Sequence, residues 1–187
     1  LGNYYCDLGD YKKAVEFGTM AMNLRKQSLG EEHPDYALSL NNLAGYYSNL
    51  GDYRKAVEFG TQAMNICKQT LEENHPGYAT SLSNLASYYC DLGEYNKAIE
   101  IGTMAMNLRK HTLGEKHLDY SLSLSNLAGY YSNLGEYNKA VELGTQALNI
   151  RKQALGEKHP DYASSLNNLA NYYYSLGDYN KAVELGT

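Results

Sequence analysis

Apolar residues along the chain follow a helical pattern that is copied several times. In the stretch that begins at Pro34 they recur three, four and seven residues apart, which is the spacing of one helical face. Gly51 follows the last of these positions and predicts the end of the helix, because glycine adopts the left-handed conformation without a steric penalty. Apolar positions from Ala56 to Leu71 then cover more than one face, which predicts a second helix held between two neighbours.

The turn between the two predicted helices has a sequence that recurs at a fixed interval. The string Leu-Gly-Asp/Glu-Tyr begins every 42 residues, at Leu50, Leu92, Leu134 and Leu176. Such a period marks an array in which one helix pair is copied and stacked on its neighbours. We therefore expect an all-α solenoid of antiparallel helix pairs that forms a single domain over residues 1–187. Its predicted units are a partial repeat 1–34, the repeats 35–76, 77–118 and 119–160, and a partial repeat 161–187.

The residues that recur within each copy resemble the tetratricopeptide repeat. Leu-Ala-x-x-Tyr at Leu43–Tyr47 is followed by Gly-Asp-Tyr-x-x-Ala at Gly51–Ala56 and by Ala63. The long period and the linker Leu155–Tyr162 are similar to those of the variant found in kinesin light chains. This resemblance implies a right-handed superhelix whose first helices line a concave groove. It also implies a non-catalytic module for protein–protein interaction.

The second helix of each repeat contains a glycine at a position where the resembled family usually has a bulky residue. Each costs about 1 kcal/mol against alanine inside a helix, so a neighbouring group must fill the space above it. We expect the doubled tyrosine of a first helix, such as Tyr46-Tyr47, to place a ring there. The glycines are Gly18, Gly60, Gly102, Gly144 and Gly186.

A polar stripe runs along each first helix, opposite its apolar face, and contains the candidate peptide-binding residues. One asparagine position is the same in every copy, and an amide can both donate to and accept from the backbone of an extended peptide. The resemblance implies this role, because the matching asparagine of the family contacts bound peptide backbone. The alternative is that these asparagines bond the neighbouring repeat and order the stack. The row consists of Asn42, Asn84, Asn126 and Asn168, and the other candidates are Asn41, Asn167, Asn49, Asn133, Asp7 and Asp91.

The groove positions contain no lysine or arginine, although chaperone adaptors of the resembled family use these cations to clamp a terminal carboxylate. We therefore expect a protein or peptide partner that is neutral to slightly basic, which suits Asp7 and Asp91. A second asparagine row lies on the second helices beside Arg-Lys pairs, where cations complement the helix dipole, and we expect a solvated outer edge there. This edge comprises Asn23, Asn65, Asn107 and Asn149, with Arg25-Lys26, Arg109-Lys110 and Arg151-Lys152.

The bulk composition argues against several other functions. The net charge is −5 and the pI is near 5.5, so the basic surface of a nucleic-acid-binding protein is not expected. No run of about 18 apolar residues could span a bilayer, and the first residues do not resemble a signal peptide. Three unpatterned cysteines suit a reducing compartment. We expect a cytoplasmic protein that does not bind membranes.

Chemistry-bearing residues are present but do not form a catalytic constellation. His33, His75, His117 and His159 recur one repeat apart, too far to share a metal, so we expect each to make a loop hydrogen bond. No nucleophile elbow or phosphate-binding loop is found. We therefore predict no enzymatic activity, no cofactor and no metal.

Two functions remain open at this point. One is an adaptor that holds an extended segment of a partner, and the other is a structural solenoid. The chain begins inside a first helix and stops inside a second, without a polar cap repeat at either end. On this pattern we expect either a segment of a longer array or end-to-end self-association into a superhelix or fibre.

Overall fold

The computed structural model describes residues 1–71 and 74–186, and within these ranges the chain forms ten helices and no strand. The predicted repeats 35–76 and 161–187 include residues 72, 73 and 187, which lie outside the described residues. The chain divides into two compact units, residues 1–94 and 95–187. The first unit contains α1 (Gly2–Asp7), α2 (Tyr11–Leu29), α3 (Pro34–Asn49), α4 (Tyr53–Thr70) and α5 (Pro76–Asp91). The second unit contains α6 (Tyr95–Leu113), α7 (Leu118–Leu134), α8 (Tyr137–Leu155), α9 (Pro160–Leu176) and α10 (Tyr179–Gly186).

The odd-numbered helices are the predicted first helices and the even-numbered ones are the second helices. The short turn between them forms as the sequence predicts: Gly51 has a φ of 85°, and its N–H donates to the carbonyl of Ser48 at 2.9 Å. Asp52 then caps α4, since its Oδ1 accepts from the backbone N–H of Lys55 at 3.2 Å. These two devices reverse the chain within a few residues and set α3 and α4 antiparallel.

The longer linker between repeats ends in a histidine that caps the next first helix. Nδ1 of His33 accepts from the backbone N–H of Asp35 at 3.1 Å, and Nδ1 of His117 accepts from that of Asp119 at 3.1 Å. His75 and His159 do the same. The predicted loop hydrogen bond is confirmed, and it satisfies one of the backbone donors left open at a helix start.

The core of each unit contains tyrosines that close on the glycines of the preceding second helix. A Cβ added at Gly18 would lie 2.8 Å from Cε2 of Tyr46, and one added at Gly144 would lie 3.2 Å from Cε2 of Tyr172. The rings therefore occupy the space that a side chain would need, and the prediction is confirmed for four of the five glycines; at Gly186 no described atom lies within 4 Å of an added Cβ. The pairs are Gly18–Tyr46, Gly60–Tyr88, Gly102–Tyr130 and Gly144–Tyr172.

The second tyrosine of a doublet packs within its own helix pair, as Tyr47 does between α3 and α4. The ring of Tyr47 stacks on Phe59 with centroids 5.5 Å apart, and Nζ of Lys55 lies 4.8 Å from the centroid of Tyr47. A lysine lies over the matching ring at Tyr5, Tyr131 and Tyr173. The doublet thus joins two kinds of interface, since one ring packs between repeats and the other within a repeat.

Candidate ligand-binding groove

Charged residues are distributed unequally between the first and second helices. All 16 lysines and arginines lie on second helices or in the linkers. The first helices, over the bounds given above, carry aspartates as their only charged side chains: Asp7, Asp35, Asp91, Asp119 and Asp161. The first helices therefore contribute no positive charge of their own to the predicted groove face.

The side-chain amides of the asparagine row lie at the surface of the first helices. Asn42, Asn84 and Asn126 are half-buried, and Asn168 is exposed. None of these four amides makes a side-chain hydrogen bond to another residue that the structure describes. Asn42 also lines a cavity of about 300 Å³ in the first unit, together with Asn3, Arg25 and Tyr46. The donor and acceptor of each amide thus remain available to a ligand.

Other residues of the polar stripe in the first unit hold neighbouring first helices together. Oγ of Ser48 on α3 donates to Oδ2 of Asp91 on α5 at 3.0 Å. Nδ2 of Asn49 on α3 donates to Sγ of Cys6 on α1 at 3.1 Å. Asn49 and Asp91 therefore help to order the stack, and their contact with a ligand stays a prediction.

Three further candidates are exposed on the first helices, namely Asp7, Asn133 and Asn167. Asp7 lies close enough to Tyr46 to act on its phenol: burial, with smaller effects of Cys6 and Asp7, raises the pKa of Tyr46. The hydroxyl of Tyr46 donates to Oδ1 of Asn3 on α1. The ring that fills the Gly18 space is thus also fixed at its polar end.

The arginines of the predicted outer edge insert between helices, so the prediction that they are solvated is wrong. Arg109 is only 8% exposed, and its Nη1 donates to Oγ of Ser123 on the next first helix at 2.8 Å. Oγ of Ser123 donates in turn to the carbonyl of Asp119 at 3.2 Å. Burial lowers the pKa of Arg109, although the guanidinium stays charged. Arg25–Ser39 and Arg151–Ser165 repeat the contact, whereas the asparagines and lysines of this edge are exposed as expected.

Cys67 occupies the arginine position in one copy and changes the groove beside it. It is buried, and burial raises the pKa of its thiol, an effect that the nearby hydroxyl of Ser81 partly opposes. Without a guanidinium to bind, Oγ of Ser81 accepts from Nδ2 of Asn41 at 3.2 Å. This hydrogen bond links Asn41 on α3 to α5. The sequence contained a signal for this network, because a serine follows each arginine position by fourteen residues in every copy.

The described part of the chain shows no feature of a metal site or of a membrane-spanning segment. Among residues 1–71 and 74–186, no three histidine, cysteine, aspartate or glutamate side chains are grouped so that they could hold a metal. No described helix is both long and apolar enough to cross a membrane. None of the three cysteines, all of which lie in the described part of the chain, forms a disulfide.

Antiparallel helix pairs repeated along the sequence, with a polar face on the first helices, define the class of α-helical repeat proteins. The family model for the Tetratricopeptide repeat matches residues 1–69, 49–111, 77–153 and 119–187. The chain therefore belongs to the tetratricopeptide repeat family, which supports a role in protein–protein interaction or scaffolding. No curated protein sequence matches the chain significantly.

Solved structures of similar proteins confirm the fold class and the kinesin-light-chain-like type. A protein described as a kinesin light chain with nearly identical TPR-like repeats, from Podosopora anserina, is 30% identical, with a TM-score of 0.89 over 99% of this chain and 87% of that one. BtubC (BKLC) from P. vanneervenii is 26% identical, with a TM-score of 0.85 over 99% and 74%. A Rap protein complexed with Competence and Sporulation Factor is 18% identical, with a TM-score of 0.78 over 98% of this chain and 49% of that one, and it shows the fold alone.

Proposed function

We propose that this chain is a non-catalytic interaction module that binds an extended peptide segment of a partner protein along its first helices. The observation that carries the proposal is the row Asn42, Asn84, Asn126 and Asn168. These amides are the same in every copy, lie at the surface and are uncommitted to any described side chain. An amide of this kind can pair with both the N–H and the C=O of a peptide backbone without selecting its side chains.

The charge of the first helices supports a partner segment that is neutral to slightly basic. Their only charged side chains are aspartates, and the cations lie on the second helices and linkers. The Rap protein of the same fold was solved with Competence and Sporulation Factor bound, which supports the idea that the fold can hold a partner.

The experiment replaces Asn84 and Asn126 with alanine and measures capture of phage-displayed random linear peptides. Each peptide hydrogen bond contributes about 1 kcal/mol, so the double variant should lose at least about tenfold in affinity. Helicity and the denaturation midpoint should stay unchanged, because neither amide bonds to a described residue. The matched control is Asn65→Ala with Asn107→Ala on the second helices. Unchanged capture with a lowered denaturation midpoint would instead make the groove row structural.

A second candidate function is that of a structural solenoid, since membership of the repeat family supports a scaffold role as well as ligand binding. Sedimentation at rising concentration tests the self-associating form of this candidate: the protein should associate, whereas a monomer at every concentration rules self-association out.

A further inference from the structure

We propose that Leu38 and Leu122 select an apolar side chain of the bound segment, an inference that rests on the proposed function. Each leucine lies four residues before an asparagine of the row, Leu38 before Asn42 and Leu122 before Asn126, so the two side chains share a helix face. Leu38 is 49% exposed and Leu122 is 43% exposed. A peptide whose backbone bonds to the amide would therefore have its adjacent side chain over the leucine.

In the first unit, the part of the polar stripe that follows Asn42 along the chain is less accessible to a ligand. One to two turns beyond Asn42, Ser48 is bonded to Asp91 and Asn49 is bonded to Cys6. Asn41, beside Asn42, is bonded to Ser81. The uncommitted part of the stripe therefore combines the amide with the leucine, which leaves apolar contact as the means of selecting side chains.

The leucine position alternates between apolar and hydroxyl residues within each unit. On α5 it is Thr80, whose hydroxyl donates to the carbonyl of Pro76 at 3.1 Å, and on α9 it is Ser164. Packed helices lie about 10 Å apart, which corresponds to about three residues of an extended peptide. Each unit thus offers one apolar subsite that selects a side chain of the peptide. About three residues further along the bound peptide, at the Thr80 or Ser164 position, many side chains are accepted.

The occupant that fits this surface is an uncharged or basic extended segment with an apolar residue. Asp35 and Asp119 lie one turn before the two leucines and favour a basic residue beside the apolar one, while an acidic segment would be repelled. Arg25 and Arg109 of the neighbouring second helices offset part of this repulsion, but their guanidinium groups are engaged within the protein: Nη1 of Arg25 donates to Ser39 and to the carbonyl of Asp35, and Nη1 of Arg109 donates to Ser123. Charge and apolar contact therefore point to the same class of peptide.

The experiment compares the intact protein with a Leu38→Thr, Leu122→Thr variant in selections from phage-displayed random linear peptides. Threonine is the residue that the neighbouring repeat carries at this position, so the fold should tolerate it. Leu24→Thr, which changes a 65% exposed leucine on α2, is the matched control. Selected peptides are then synthesised with the apolar residue or with alanine in its place.

With the intact protein and the control, we expect an enriched apolar position whose replacement by alanine weakens binding about tenfold. With the double variant, peptides should still bind but the replacement should change affinity less than about twofold. An apolar preference that persists in the double variant overturns this inference and leaves the proposed function intact. If the intact protein enriches no peptide, both fall. If the leucines instead control self-association measured by sedimentation, the occupant is a second copy and the inference is again overturned.

Discussion

Gly18 and Gly45 offer the same substitution in two different surroundings of the first unit. Both lie inside helices, Gly18 in α2 and Gly45 in α3. A Cβ at Gly18 would lie 2.8 and 2.9 Å from ring carbons of Tyr46, whereas a Cβ at Gly45 would meet only the hydroxyl oxygen of Tyr88, at 3.6 Å. We predict that Gly45→Ala stabilises the protein and that Gly18→Ala destabilises it.

The magnitudes follow from two effects. Alanine in place of glycine inside a helix contributes about 1 kcal/mol at either site. At Gly45 nothing opposes this gain, because 3.6 Å is an ordinary contact distance. At Gly18 the added methyl must displace the ring of Tyr46, which is buried and bonded to Asn3, and overpacking of this kind costs about 1 to 3 kcal/mol. The difference between this cost and the helix gain is a net loss of up to about 2 kcal/mol for Gly18→Ala.

The assay is unfolding in guanidinium chloride followed by far-UV circular dichroism. Midpoints are compared alongside the slopes, because a repeat array need not unfold in one cooperative step. A third variant, Gly18→Ala with Tyr46→Leu, makes room for the methyl group. Its loss should be smaller than the sum of the two single losses, which a double-mutant cycle measures directly.

Two results would refute this reasoning. If both alanine variants raise the midpoint by similar amounts, the ring of Tyr46 yields to the methyl group at little cost and the glycine row is not required by packing. If the losses of Gly18→Ala and Tyr46→Leu are additive, the two side chains do not compete for one space.

Two further predictions concern buried polar groups. Arg109→Cys introduces the residue found at Cys67 and removes the hydrogen-bond donor to Ser123. A charged hydrogen bond contributes about 1.5 to 3 kcal/mol, and part of this is returned because a desolvated cation is also removed. We expect the free energy of unfolding, measured by chemical denaturation, to fall by about 1 to 2 kcal/mol. The exposed Arg54→Cys should change stability little. Burial raises the pKa of Tyr88 from 10.0 to about 12, so the unfolded chain loses this proton first and stability falls as pH rises from 10 to 12. Tyr88 contributes about 2 to 3 kcal/mol to this fall, and Tyr88→Phe should flatten the alkaline limb of stability against pH.

The sequence predicts the helices and turns well because each depends on residues close together in the chain. Gly51, Asp52 and His33 act on backbone groups within a few residues, and their roles follow from residue type and spacing. The pairing of Gly18 with Tyr46 could also be inferred, because a void in a helix requires a large neighbour. In each case the conformational or packing preference of the residue, together with the repeat period, is compatible with only one arrangement of the neighbouring groups.

Contacts between side chains of different repeats are harder to infer. Arg109 lies beside a lysine near the end of α6, which in the sequence suggests a solvated charge. Its long apolar stem instead allows the guanidinium to reach a buried position against the next helix. The bonds from Asn41 to Ser81 and from Asn49 to Cys6 span about one repeat, so they depend on the rotation of one helix against another. Periodicity places these residues on a face but does not determine which of them bond.

In such an array, a position can hold the same residue in every copy for two physical reasons. The residue makes the same packing contacts in each repeat, or it contacts a ligand in each repeat. The glycine, histidine and serine rows that include Gly18, His33 and Ser39 are accounted for by packing and by internal hydrogen bonds. The rows of Asn23 and Asn42 have no such account. They differ in burial, because every member of the Asn23 row is exposed on a second helix, whereas most of the Asn42 row is half-buried on a first helix. A half-buried amide lies where a ligand can exclude water from its hydrogen bonds, which strengthens them. The Asn42 row is therefore the better candidate for ligand contact.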